Sequence, residues 1–234
     1  MHDRTFERVG AASGLAFVLL AVLSGFIYPQ QPRVDATPGA TLAWVHDHHM
    51  ALQAGMIFDF FAAAALLWFV GYLHRVLVRA EGEESLAPVV FASGIGVAVT
   101  TAMAALPTVV LAFMDAQPGG IGDPDLVRML GDLNTIFFSV TSVMTMVFLG
   151  SLGWAMVRGE LAAPWLGWVG LVVAVFNAIA VWIGVTFSSY HGKSWLVIGW
   201  GAYIGFLVVM LILSGSMFRQ RQAASATSPS VAVS

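Results

Sequence analysis

The chain has 234 residues, of which 59% are hydrophobic and only 10% charged. A water-soluble domain carries about 45–50% apolar and roughly 25% charged residues, so this composition, with a mean hydropathy of +0.84, excludes a soluble particle. The net charge of −3 argues against nucleic acid as a partner, and the absence of cysteine excludes disulfides, thiolate metal centres and cysteine catalysis.

A helix needs about 20 apolar residues to cross the hydrocarbon core. Six runs meet that length, at residues 9–28, 50–73, 88–113, 133–157, 165–187 and 195–218. The expected fold is therefore all-α: a polytopic bundle of six transmembrane helices over residues 1–218, followed by a disordered cytoplasmic tail at 219–234, rich in Ser and Ala. Pro29, Pro32 and Pro38 are expected to end the first span and keep its loop extended. Acidic residues at 81–84 separate the second and third spans. Gly119-Gly120 and Asp123-Pro124-Asp125 mark a turn-rich loop. Pro164 suits a helix start, and residues 188–192 form the last connection.

Basic residues near the span ends set the orientation. Arg4, Arg8, Arg75, Arg79, Arg158, Arg219 and Arg221 fall on one side, against Arg33, Arg128 and Lys193 on the other. Both termini are thus expected in the cytoplasm, with the bilayer of the plasma membrane as the first partner. Tyr28 and Trp44 are expected as interface aromatics on the outer side, and Trp68, Tyr72, Trp154 and Trp165 on the inner side. The run at 9–28 is long and lacks the small-residue site of a cleaved signal peptide, so it is read as a retained span.

Lipid is as apolar as leucine, so helices associate through close backbone approach at small residues. Gly10 with Gly14, and Gly201 with Gly205, have GxxxG spacing; Gly55, Ala62 and Ala63 share a face of the second span. Packing inside the bundle is the plainer reading of these pairs, beside a homo-oligomer or a membrane-protein partner.

Asp59 is the one carboxylate well inside a span. Counted from residue 50 it lies roughly 15 Å deep, near the midplane, with no Lys or Arg at comparable depth. An isolated charge there is costly, so it must be protonated, hydrated or matched by a cation. A proton or ion relay and a neutral, hydrogen-bonded acid both fit. Asp132, Thr135, Ser139 and Ser142 follow 3- and 4-residue spacing down the fourth span, with Asn134 beside them. They would line a wet crevice or return hydrogen bonds to their own helix. Asn177, mid-span in the fifth, is the expected partner of Asp59.

His46, Asp47, His48 and His49 precede the second span, and His191 lies on the same expected side. Imidazole and carboxylate are ligands for divalent metals. His46 and His49 share a helical face, so His46, Asp47, His49 and His191 form a candidate metal set. The alternative is a solvated helix cap at Asp47. No zincin, nucleophile-elbow, phosphate-loop or dinucleotide motif occurs, so no catalytic residue is assigned and no cofactor beyond that metal is expected.

Leu42-Ala43-Trp44-Val45-His46-Asp47-His48 before the second span, and Leu161-Ala162-Ala163-Pro164-Trp165-Leu166-Gly167-Trp168 opening the fifth, carry a resemblance. The sequence resembles a family of uncharacterised six-helix bacterial membrane proteins, chiefly actinobacterial, related to a domain of unknown function. The resemblance implies a six-span fold and no particular activity. Three readings stand together: a proton- or ion-linked transport, sensing or accessory role centred on Asp59; a membrane metal-binding protein or metalloenzyme; and an assembly partner of another membrane protein.

Overall fold

The computed structural model describes residues 2–29, 36–81, 86–117, 120, 123–159, 161–186 and 193–226. The six helices are α1 (His2–Ile27), α2 (Pro38–Glu81), α3 (Ala87–Asp115), α4 (Pro124–Val157), α5 (Pro164–Thr186) and α6 (Lys193–Ala226). All six are long and apolar enough to cross a membrane, and no strand occurs among the described residues. Each helix packs on the next in sequence and α6 returns to α1, so the six close into a ring, with α2 also touching α4.

Two helices start earlier than expected, each at a proline. The Thr37 hydroxyl accepts from the Ala40 N–H at 3.3 Å, and Pro38 sits at the first helical position, where its missing N–H costs nothing. Pro38 therefore opens α2 instead of extending a loop. At α4, the Asp123 carboxylate accepts from the Asp125 N–H at 2.9 Å, with Pro124 next in line. The expected turn at 123–125 is thus an N-cap with its helix attached. Extended in this way, α2 has 44 residues, about 66 Å at 1.5 Å per residue, roughly twice a hydrocarbon core. The α6 helix runs to Ala226, eight residues past the expected end of the sixth span; residues 227–234 lie outside the described ones.

Buried apolar side chains form two separate cores. The larger lies toward the chain termini and joins all six helices, through Ala11 and Phe17, Leu66 and Phe69, Val90, Leu149 and Leu152, Leu166, and Met210 and Leu213. The smaller lies at the other end and joins three: Val45 and Leu52 of α2, Leu111 and Ala112 of α3, Val127 and Leu130 of α4.

Close approach at glycine builds the larger core. A Cβ on Gly167 would come within 2.6 Å of the Gly153 carbonyl oxygen and the Val157 nitrogen, so the backbones of α4 and α5 touch. Gly167 belongs to the proline–tryptophan segment opening α5. Its neighbours Trp165 and Trp168 are 56% and 58% exposed, so they point away from that contact toward lipid. Gly10 lies under the Tyr72 ring, and Gly14 against Phe69 and Ser214. The GxxxG pair of α1 thus packs inside the bundle. Gly205 meets Val173, whereas Gly201 has no neighbour within 4 Å. Tyr72, expected in an interface belt, is 1% exposed and belongs to this core. Trp44, expected likewise, is half-buried against the smaller core.

Candidate functional site

The stretch between the two cores holds most of the polar residues singled out above. Its central feature joins α1 to α2. The Tyr28 hydroxyl donates to Asp59 Oδ2 at 2.9 Å. The Ser24 hydroxyl donates to the Gly55 carbonyl at 3.3 Å. Ser24 and Tyr28 are four residues apart, as are Gly55 and Asp59. Two antiparallel helices thus present matching one-turn steps to each other. The match depends on Gly55: a Cβ there would stand 2.9–3.0 Å from three atoms of the Tyr28 ring.

Arg79 pairs with Glu7 at 2.9 Å near the terminal end of the bundle. From Arg79 to Asp59 is twenty residues, about 30 Å along the helix. Ser24 lies level with Gly55, so the Asp59 Cα stands about one turn from Ser24 toward the chain termini and about two turns from the Tyr28 Cα, whose side chain turns back to reach it. Asp59 is half-buried. The expected depth was counted from residue 50, whereas α2 starts at Pro38.

Asn177 is not the partner of Asp59. It is 3% exposed, and its side-chain amide donates to the Val173 carbonyl of its own helix at 2.9 Å. The α4 hydroxyls turn inward in the same way. Thr135 donates to Gly131 O at 3.2 Å, Ser139 to Thr135 O at 3.2 Å and Ser142 to Phe138 O at 3.1 Å. Each has used its only hydrogen, so the face it offers is made of lone pairs. Asp132 is exposed and lines an open groove along α4 with Asp125, Arg128, Met129, Leu133 and Ile136.

Sequence reasoning overlooked Pro107, which lies inside α3. A proline there leaves the Met103 carbonyl without its helical donor and disturbs the turn. The next carbonyl, Ala104, accepts from the Asn134 side chain of α4 at 2.6 Å, in the way neighbouring helices re-satisfy a broken ladder. Ser24 and Tyr28 were overlooked as site residues too. The signal was a serine and a tyrosine one turn apart at the end of the first span, mirroring Gly55 and Asp59.

The histidines lie within α2, so Asp47 is not at a helix start. The His46 Nδ1 is 3.1 Å from an Asp115 carboxylate oxygen of α3. His48 Nδ1 lies 2.8 Å from the Trp44 carbonyl and His49 Nδ1 3.0 Å from the His46 carbonyl. Among the described residues, no three of His, Asp and Glu gather as a metal-binding group. His191, the remaining member of the proposed set, lies outside the described residues.

A family model described as a domain of unknown function (DUF4386) matches residues 12–217. The chain belongs to this family. No curated protein and no solved structure matches the chain significantly. The match to the DUF4386 model runs from Ala12 in α1 to Met217, the last buried residue of α6 among the described ones. It therefore takes in the smaller core, all of the larger one but Ala11, and the Ser24–Tyr28–Asp59 cluster. The protein is a multi-pass membrane protein of this family, with six apolar helices.

Proposed function

We propose that this DUF4386 protein handles a proton or small cation at Asp59, in transport, in sensing or as an accessory to another membrane protein, and that it does so in the plasma membrane of an actinobacterial-type bacterium with both termini cytoplasmic. One observation carries the reading: the carboxylate accepts from the neutral Tyr28 hydroxyl, and no Lys or Arg lies against it among the described residues. A carboxylate held only by neutral donors keeps its charge available for an incoming positive species. The Asp59 side chain is half-buried and not sealed in the core, and an ionised state costs less where water can reach it. The lone-pair face of Thr135, Ser139 and Ser142 suits water or a cation better than an anion, and Asp132 lies on the same helix.

Asp59→Asn tests this directly. The amide keeps the volume of the side chain and removes the titratable charge. Reconstituted in liposomes, the variant is expected to lose proton- or cation-linked flux while eluting as the parent does on size exclusion. Equal flux from both proteins rejects the reading.

A second reading, a divalent-metal protein, has the His46–Asp115 contact in its favour, because it already sets two ligand types together across helices. His49 and Asp47 lie near in sequence, and His191 would have to complete the set. Metal analysis of the purified protein decides it: sub-stoichiometric metal, unchanged by His46→Ala, removes it.

A further inference from the structure

We propose that Tyr28 is the gate of the Asp59 site. This rests on the reading of Asp59 as the working group and adds how it is reached. The helices α1 and α2 run antiparallel, and Ser24 is level with Gly55. The Cα of Tyr28 is one turn farther toward the α1–α2 connection, about 6 Å. Its side chain turns back, passes over Gly55 and ends at Asp59. The aromatic ring therefore covers the approach to the carboxylate from that face, the outer one by the arginine bias. Ser24, beneath the ring, is only 2% exposed.

The parts have separate tasks. Gly55 supplies the bare backbone on which the ring lies, since a Cβ would already collide with three of its atoms. The hydroxyl latches the ring by its bond to the carboxylate. A species that takes the negative charge of Asp59 weakens that bond, because a charge-assisted acceptor is roughly twice as strong as a neutral one. Arrival of a positive charge thus loosens the latch that excluded it. Tyr28 is a positioning and access residue.

The absence of cysteine makes the test clean. Ser24→Cys places a single thiol beneath the ring and leaves the Tyr28–Asp59 bond in place. Its rate of modification by a small, charged, membrane-impermeant thiosulfonate is measured on the full chain in proteoliposomes. With Tyr28 intact the reaction is expected to be slow. Adding Tyr28→Ala is expected to raise the rate by about tenfold or more, as the open fraction approaches unity. Gly55→Ala, which pushes the ring aside without altering Tyr28, is expected to raise it as well. Tyr28→Phe keeps the ring and loses the latch, so its rate falls between. Equal rates for the parent and for Gly55→Ala overturn the gate, whether or not the Tyr28→Ala protein folds. The readout is thiol chemistry, so it stands apart from flux: unchanged flux in Asp59→Asn sinks the proposed function and leaves the gate, while equal thiol rates sink the gate alone.

Discussion

The core toward the chain termini is held by backbone approach, whereas the core toward the α1–α2 connection is held by side chains alone. In the first, Gly153 and Gly167 bring α4 and α5 into main-chain contact, and Gly10, Gly14, Gly94 and Gly205 each lie under a neighbouring side chain. In the second, Gly39, Gly120 and Gly131 have nothing within 4 Å. Among the described residues, three helices meet there, through six buried residues. The Trp44 indole N–H is buried without a hydrogen-bond partner among the described residues. Among the described residues, one end of the molecule is thus a tight ring of six helices, and the other a smaller three-helix layer. Regions that must open are drawn from the less stable part of a structure, and the Asp59 cluster lies between the two.

Gly167→Val is the sharpest way to break the tighter end. Its Cβ alone would stand 2.6 Å from two backbone atoms, and neither can move without shifting a whole helix. Overpacking costs about 1–3 kcal/mol and occasionally more; rigid neighbours put this case at the upper end. Thermal unfolding in detergent is expected to show a large loss, with no such loss for Gly201→Val, whose position is open. Similar melting of the two variants would mean that α4 and α5 do not touch as described.

Leu52→Ala probes the looser end. Leu52 is 1% exposed within the smaller core. Its loss is expected to cost about 2 kcal/mol, the low side for a buried leucine, because a thin layer relaxes around the cavity. Hydrogen exchange is expected to rise in the first three turns of α2 and in the start of α4, and to stay unchanged near Gly153. A uniform rise along α4 would show that the two cores unfold as one.

Asn134→Ala acts at the joint. It removes the donor that reaches Ala104 O beside Pro107. Interhelical hydrogen bonds in membranes are worth about 0.6 kcal/mol on average and up to about 1–2; a carbonyl next to a proline break lies in the higher part. The expected result is a modest fall in stability together with faster exchange in α3 beyond Pro107. Unaltered exchange there would show that the broken turn holds without Asn134.

The six helices were legible because crossing a membrane demands long apolar runs, and that demand is written residue by residue. Pro164 fell where expected, at the start of α5, for the same local reason. The starts of α2 and α4 were misplaced because proline has two meanings, stopping one helix and opening the next, and Thr37 and Asp123 decide between them. The depth of Asp59 was therefore counted from a residue inside α2. Its true partner was hidden for a different reason: Tyr28 at a span end resembles an interface aromatic, and only the register of α1 on α2 brings it over Gly55. Asn177 looked like a partner because of its depth, but a buried amide also has its own turn to bond.

The smallest effect expected is at His46, and it separates the two ends by chemistry. The His46 side chain is 73% exposed, and its 3.1 Å contact joins it to Asp115, which is 9% exposed. Exposed pairs contribute between nothing and about 1 kcal/mol, so His46→Ala is expected to lower stability by no more than about 0.5 kcal/mol if the contact is only an ion pair. A metal bridging the same two residues would change that scale, because bound metal stabilises the folded state by mass action. In that case a chelator would lower the melting temperature of the parent and have no effect on His46→Ala. A small, chelator-insensitive effect in both proteins would leave the three-helix layer as a packed extension, and Asp59 as the group on which chemistry at this end of the molecule depends.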